Sequence, residues 1–144
     1  RKGLARCGVL DFQGAMRGPV AYDLANLLED PRQDIAADLR AAMFKRFTQS
    51  MSQTDQESFS AWYRVLATQF HCRVIGQFIK LALTASKPRY LQFVPRLEAY
   101  LQEGLGDPLL APLKEWFAEN GLNFDASLTD VRPDDYRLIA QDAF

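Results

Sequence analysis

The sequence predicts a mainly α-helical domain with a short β element at its N-terminal edge. Apolar residues recur every three or four positions through most of the 144 residues, which is the period of amphipathic helices. Ahead of them stands one brief apolar run, residues 7–12, which contains a glycine and ends near another. With 48% hydrophobic residues, the chain has enough apolar surface for a single domain with its own core.

The first two elements are the short strand and the helix that follows it. Residues 7–12 are brief and apolar, which favours a strand. A glycine-containing loop through Arg17 then leads to Pro19, which suits the first turn of a helix. That helix is predicted to end near Glu29, because Pro31 restricts the residue before it.

Three further segments carry apolar stripes at helical spacing. The second of them is apolar on two sides, which predicts the central helix of the domain, with Thr54 and Glu57 as its N-terminal capping pair. The stripes are, in order, Ile35, Leu39, Met43 and Phe47; Phe59, Trp62, Leu66, Phe70, Val74, Phe78 and Leu81; and Leu91, Val94, Leu97 and Leu101.

The last predicted helix opens at Asp107-Pro108, an N-cap followed by a first-turn proline, and ends at Asn120-Gly121. Trp116 and Phe117 are expected on its inner side. Beyond it the chain turns polar, with one short helix predicted over residues 133–143.

Charge and cysteine usage exclude several classes of partner. The 17 Lys and Arg residues nearly balance the 18 Asp and Glu residues, so no broad field attracts nucleic acid or an anionic membrane. No apolar run approaches the roughly 20 residues of a membrane span, and no signal peptide is visible. Cys7 and Cys72 lie far apart, which favours free thiols in a reducing compartment over a disulfide. We therefore expect a cytoplasmic protein.

Asp23 stands close to the apolar face predicted for the first helix. With Val20, Leu24 and Leu27 as that face, Asp23 lies about 60° from Val20 and about 40° from Leu27 at the helical period. A carboxylate at the rim of a core needs hydrogen-bond donors as partners. Alternatively, the helix macrodipole and water satisfy it as an ordinary first-turn acid.

Asp11 ends the apolar strand and is followed by an aromatic residue and a glycine-containing loop. This position presents a hard oxygen ligand from a rigid base, which suits Mg²⁺. The competing interpretation is a turn-forming aspartate that bonds the backbone two residues on, and the pattern alone favours it.

Both aspartates belong to the phrase "GVLDFQGAMRGPVAYDLANLL". It resembles the segment after the catalytic loop of aminoglycoside-phosphotransferase-like kinases, where a strand ends in the equivalent of the protein-kinase D-F-G aspartate and a Y-D-L-A helix follows. The resemblance implies the helical C-lobe of a protein-kinase-like fold, with ATP and Mg²⁺ as cofactors. It also implies that Asp11 is the Mg²⁺ ligand and that Asp23 hydrogen-bonds the backbone of the catalytic loop.

The third position of the motif is Gln13 rather than glycine. D-F-Q resembles the branch of these kinases that phosphorylates the anomeric hydroxyl of N-acetylmuramate and N-acetylglucosamine in peptidoglycan recycling. The later stretch "GQFIKLALTASKPRYLQFVPRLEAYLQEGLGDPLLAPLKEWF" also looks like that branch. The resemblance therefore implies a sugar kinase, in which Gln13 and Arg17 could reach phosphate or sugar hydroxyls. The alternatives are a kinase for an aminoglycoside, choline or another small alcohol, and a non-catalytic kinase-like binding module.

The family's catalytic loop, H-x-D-x-x-x-x-N, does not occur in this sequence. The single histidine, His71, is followed by Cys72 and Arg73, and a packed histidine is the favoured interpretation. Trp62, Tyr63 and Trp116 could stack on a sugar, although aromatic residues at helical spacing usually belong to the core. No catalytic residue is therefore assigned. We expect residues 1–144 to be the C-terminal part of a phosphotransferase domain whose N-lobe and catalytic loop lie upstream, and to be inactive alone.

Overall fold

The computed structural model describes residues 17–122, which form five α-helices joined by short connections. The helices are α1 (Val20–Leu28), α2 (Ala37–Thr48), α3 (Gln53–Thr84), α4 (Val94–Leu105) and α5 (Ala111–Glu119), with 3₁₀ segments at Pro88–Phe93 and Pro108–Leu110. Residues 17–122 contain no strand, and the predicted helical C-lobe is confirmed. The strand predicted at residues 7–12 and the helix predicted at residues 133–143 lie outside the described residues.

Helix α3 is the central element, as predicted. It is 32 residues long and packs against α1, α4 and the 3₁₀ segment Pro88–Phe93. Its N-cap differs from the prediction. The hydroxyl of Ser52, not Thr54, accepts the hydrogen bond from the backbone N–H of Asp55, because the helix begins earlier than its apolar stripe indicates.

Two apolar clusters hold the helices together. The larger one joins α3 to α4 and to Leu110, and the smaller one joins α1 to the first half of α3. The buried members of the larger cluster are Phe70, Val74, Ile75, Phe78, Val94, Leu97, Leu101, Leu105 and Leu110; those of the smaller are Ala21, Leu24, Ala25, Leu28, Tyr63 and Ala67.

The buried face of α1 differs from the predicted one. Val20 and Leu27 remain 57% and 66% exposed, whereas Ala21, Ala25 and Leu28 are buried with Leu24. Alanines present little side-chain bulk, so this face brings the α1 backbone close to α3. The predicted face of Val20, Leu24 and Leu27 is therefore wrong except for Leu24.

The breaks between the later helices lie at the residues that the sequence predicts. Ser86, with a φ of 52°, lies just beyond the end of α3 and ahead of Lys87-Pro88. The side chain of Asp107 accepts a hydrogen bond of 2.9 Å from the backbone N–H of Leu109, as expected of an N-cap. Trp116 is exposed, contrary to prediction, because only Phe117 of this pair packs against the core.

Within residues 17–122, no helix combines the length and apolarity needed to cross a bilayer.

Candidate functional site at helix α1

The predicted site residues fall into two groups. Asp11 and Gln13 lie outside the described residues, whereas Arg17 and Asp23 lie within them. Arg17 is exposed in the segment just before α1. Asp23 is in the first turn of α1, where the positive end of the helix dipole favours a carboxylate.

The expectation that Asp23 sits at the rim of the core is wrong. Asp23 is exposed, and it shares its side of α1 with the exposed residues Val20 and Leu27 at helical spacing. The core takes the opposite side, because the buried alanines there allow α1 to approach α3. Consequently one face of α1 presents a carboxylate between two apolar side chains to its surroundings.

A buried polar cluster anchors the C-terminal end of α1 to α3. Glu29 follows the last residue of α1 and is only 5% exposed. Its Oε1 accepts a hydrogen bond of 2.8 Å from the hydroxyl of Tyr63, and its Oε2 lies 3.0 Å from Nε2 of His71. His71 is itself 1% exposed and stacks on Tyr100 of α4, with ring centroids 5.4 Å apart. The cluster therefore ties α1, α3 and α4 together.

The surroundings of Glu29 keep its carboxylate ionised. Burial alone raises the pKa of Glu29, but the interaction with the adjacent His71 imidazole and the hydrogen bond from Tyr63 outweigh it, so the pKa lies below its ordinary value. Burial, followed by the negative charge of Glu29, raises the pKa of Tyr63, which stays a neutral donor.

The cluster confirms the packed interpretation of His71, but sequence reasoning missed Glu29 as its partner. Tyr63 proves to be a core residue, which removes it from the aromatic residues available to stack on a sugar. The usable signal was an acidic residue at the end of a helix that has a buried face. That signal is weak without knowing which residue of α3 faces it.

The loop between α1 and α2 is fixed by a second set of polar contacts. Arg96 of α4 donates hydrogen bonds to the carbonyl oxygens of Pro31 and Gln33, at 2.8 and 2.9 Å. Asp30 and Arg32 form a two-point pair, with Nε 2.9 Å from Oδ1 and Nη2 2.8 Å from Oδ2. The hydrogen bond from Arg32 lowers the pKa of Asp30. Arg96 therefore ties the loop to α4, and the Asp30–Arg32 pair braces the loop internally.

An apolar recess of about 550 Å³ lies at the N-terminal end of α1. Pro19, Val20 and Phe59 line it together with the exposed indole of Trp62. Within residues 17–122 no group of three His, Cys, Asp or Glu side chains could hold a metal ion. The free thiol of Cys72 is half-buried, and burial raises its pKa.

The class of protein follows from the fold and one family match. Residues 5–62 match the family described as "Phosphotransferase enzyme family". This stretch contains Asp11, Gln13, Arg17 and Asp23. Together with the helical architecture, the match confirms the resemblance to the aminoglycoside-phosphotransferase-like kinases that the sequence indicated.

Three individual relatives with the same name are similar to most of this chain. The chain is 40% identical over 117 residues to a Caulobacter vibrioides protein named N-acetylmuramate/N-acetylglucosamine kinase, an alignment that covers 81% of this chain and 32% of the relative. A Pseudomonas putida protein of the same name is 37% identical over 121 residues, 78% of this chain and 35% of the relative. A third, from Neisseria meningitidis serogroup B, is 31% identical over 103 residues, 67% of this chain and 31% of the relative. The chain thus spans about a third of the length of these curated relatives.

Proposed function

We propose that the chain is the C-terminal part of a kinase-like phosphotransferase domain that acts on a sugar. The reaction transfers the γ-phosphoryl group of ATP to the anomeric hydroxyl of N-acetylmuramate or N-acetylglucosamine, in cytoplasmic recycling of peptidoglycan. The observation that carries the proposal is the similarity, at 31% to 40% identity, to three bacterial kinases named for these sugars.

The proposed role of Asp23 is to hold the catalytic loop of the same polypeptide. Its exposed position on α1 supports this role, because the carboxylate is accessible to backbone N–H donors from another segment. Val20 and Leu27 on the same face would pack against that segment. The Glu29 cluster would act indirectly, by fixing α1 on α3 and so fixing where Asp23 stands.

Asp11 is proposed as the ligand of Mg²⁺, which would neutralise charge on the phosphates of ATP when bound. Gln13 and Arg17 are proposed to contact phosphate or sugar. The exposure of Arg17 just ahead of α1 is compatible with such a contact. The base that accepts the sugar proton is expected on the upstream catalytic loop, so residues 1–144 alone should be inactive.

The test is an acceptor panel with the full-length protein and Mg-ATP. The panel holds N-acetylmuramate, N-acetylglucosamine, kanamycin and choline, with products followed by ³¹P NMR. We expect a new anomeric sugar-phosphate signal. Phosphorylation of kanamycin or choline alone would replace the substrate and keep the reaction type. Intact ATP with every acceptor would contradict the proposed kinase and favour a binding module.

Two aspartate variants test the assigned roles in the same assay. Asp11→Ala should slow transfer on the order of a hundredfold, since about 3 kcal/mol of transition-state stabilisation corresponds to that factor. Asp23→Ala should also slow transfer, by misplacing the loop. The matched control is Asp38→Ala, which removes another exposed first-turn aspartate, on α2, and should leave turnover unchanged. Unchanged turnover of Asp11→Ala at saturating Mg²⁺ would refute the metal assignment.

A further inference from the structure

A second pocket, unlike the apolar recess, combines aromatic and polar walls. It has a volume of about 340 Å³ and lies between α1, α3, the α1–α2 loop and the 3₁₀ segment Pro88–Phe93. This volume is in the range of small-molecule sites. Its lining includes Asn26, Asp30, Arg32, Phe70, Gln77, Phe78 and Tyr90.

The aromatic wall suits the C–H face of a sugar ring. Phe78 is buried and Tyr90 is half-buried, and their ring centroids lie 5.2 Å apart. The two rings are tilted by 34° to one another, and the half-buried ring of Tyr90 is the apolar surface that the pair offers, held in place by the core behind it. Pyranose rings carry apolar C–H faces that pack on aromatic surfaces, which orients the hydroxyl groups outward.

The polar side of the pocket supplies hydrogen-bond donors and acceptors. The net charge of the lining is zero. Asp30 and Arg32 are the only oppositely charged residues of the lining, and their charges cancel. Their pair uses Nε and Nη2 of Arg32, and Nη1 forms no hydrogen bond within residues 17–122. Gln77 is exposed and uses its carbonyl oxygen to accept from Arg73 at 3.3 Å, so its amide N–H remains a donor. This set matches hydroxyl and amide groups better than a polycation.

The pocket also lies close to the proposed reaction side of α1. Asn26 lines it and follows Asp23 by three residues, about 4.5 Å along the helix axis. The same helix therefore carries both the loop-holding carboxylate and one wall of the pocket. The Glu29 cluster fixes both at once, because it anchors the end of this helix.

We propose that this pocket is the acceptor subsite and that it recognises the N-acetylated pyranose ring. The ring packs against Tyr90, and its acetamido and hydroxyl groups bond to Gln77 and to the Asp30–Arg32 pair. This inference rests on the proposed sugar kinase function and deepens it, since it names the residues that select the acceptor. A polycationic aminoglycoside would gain no net electrostatic attraction from this lining.

The test measures KM for N-acetylglucosamine and for ATP separately in the full-length protein. Gln77→Ala and Arg32→Gln should each raise the KM for the sugar about tenfold, the effect of one lost hydrogen bond to a bound ligand. The KM for ATP should stay unchanged. Gln69→Ala, an exposed glutamine of the same helix, and Arg46→Gln, an exposed arginine of α2, are the matched controls and should alter neither value.

Unchanged sugar KM in Gln77→Ala and Arg32→Gln would overturn the subsite while leaving the kinase intact. An equal rise of both KM values would also overturn it, since that pattern reports general damage. If the wild-type protein phosphorylates no sugar, the proposed function fails and ligand-observed NMR with N-acetylglucosamine judges the pocket alone. Binding that Gln77→Ala abolishes supports the pocket, and absence of binding to the wild-type protein overturns it.

Discussion

Helices α2 and α4 are each 12 residues long, and each carries apolar residues at helical spacing, yet these residues lie in opposite environments. Leu97 of α4 is fully buried, whereas Leu39 of α2 is 50% exposed. Met43 and Phe47, the other residues of the stripe that lie within α2, are exposed as well. Apolar residues at helical spacing therefore predict that a helix forms. They do not predict whether a neighbouring element buries them.

The neighbours explain the difference. Helix α4 packs along the longer helix α3. The apolar side chains of α3 extend beyond both the contact and the length of α4. Helix α2 reaches the rest of the domain through fewer contacts. Phe44 packs edge-on against Tyr63 with ring centroids 4.9 Å apart, and Arg40 pairs with Glu103 of α4 at 3.3 Å. We interpret α4 as part of the scaffold. We interpret α2 as a helix whose apolar face is not buried by the rest of residues 17–122.

Leu97→Ala should have the largest effect on stability and tests the scaffold role of α4. Removing a fully buried leucine leaves a cavity, which costs about 2–5 kcal/mol of unfolding free energy. Urea unfolding of the chain, followed by circular dichroism, measures the loss. A cost below about 1 kcal/mol would mean that α4 repacks freely and would end the contrast with α2.

The next largest effect is expected for His71→Ala, which should lower the free energy of unfolding by about 3 kcal/mol. Among the described residues it leaves the hydroxyl of Tyr63 as the hydrogen-bond partner of the buried Glu29 carboxylate, and it removes the stacking on Tyr100. Tyr63→Phe is the milder companion and should cost about 1 kcal/mol, because His71 still pairs with the carboxylate. Equal losses in the two variants, by the same unfolding measurement, would argue against His71 as the main partner.

Acid should weaken the polar anchor of α1 before it weakens the apolar contacts of α4. The pKa of Glu29 is lowered in the folded state from an ordinary value of 4.5, so the carboxylate stabilises the fold above that value. This contribution is lost as the pH falls through the lowered folded pKa. Glu29→Gln should therefore show a shallower loss of stability below pH 4.5 than the wild type. Asp30, whose pKa Arg32 lowers, contributes in the same acidic window and keeps the slope above zero.

Leu39→Ala should have the smallest effect, within about 0.5 kcal/mol, because the leucine is half-exposed on α2. It is the matched control for Leu97→Ala, since the substitution is the same and only the neighbours differ. A loss above about 2 kcal/mol in the full-length protein would show that another segment covers the α2 stripe there.

Most helices were predictable because their signals are local. Pro19, Lys87-Pro88 and Asp107-Pro108 mark boundaries through the fixed φ of proline and the hydrogen bond of a cap. The side of α1 that faces the core was not predictable in this way. Its burial depends on how closely two backbones approach, which the size of Val20 or Leu27 does not reveal.

The candidate site shows the same division. The D-F-Q and Y-D-L-A motifs predict chemical roles for Asp11 and Asp23, and the family match covers both positions. The exposure of Asp23 and the partners of Glu29 needed the packed structure, because Glu29 and His71 are distant in sequence and meet only when α1 lies on α3.

The sequence by itself determined the helical architecture, most of the described helix boundaries and the resemblance to the kinase family, because periodicity, capping and short motifs act within a few residues of one another. Only the tertiary structure decided which stripe is buried, which polar side chains pair inside the core, and where a mixed aromatic and polar pocket opens. These features arise from contacts between segments that are distant in sequence. Their contribution to the free energy of folding depends on the distances between those segments, which the sequence of one segment does not specify.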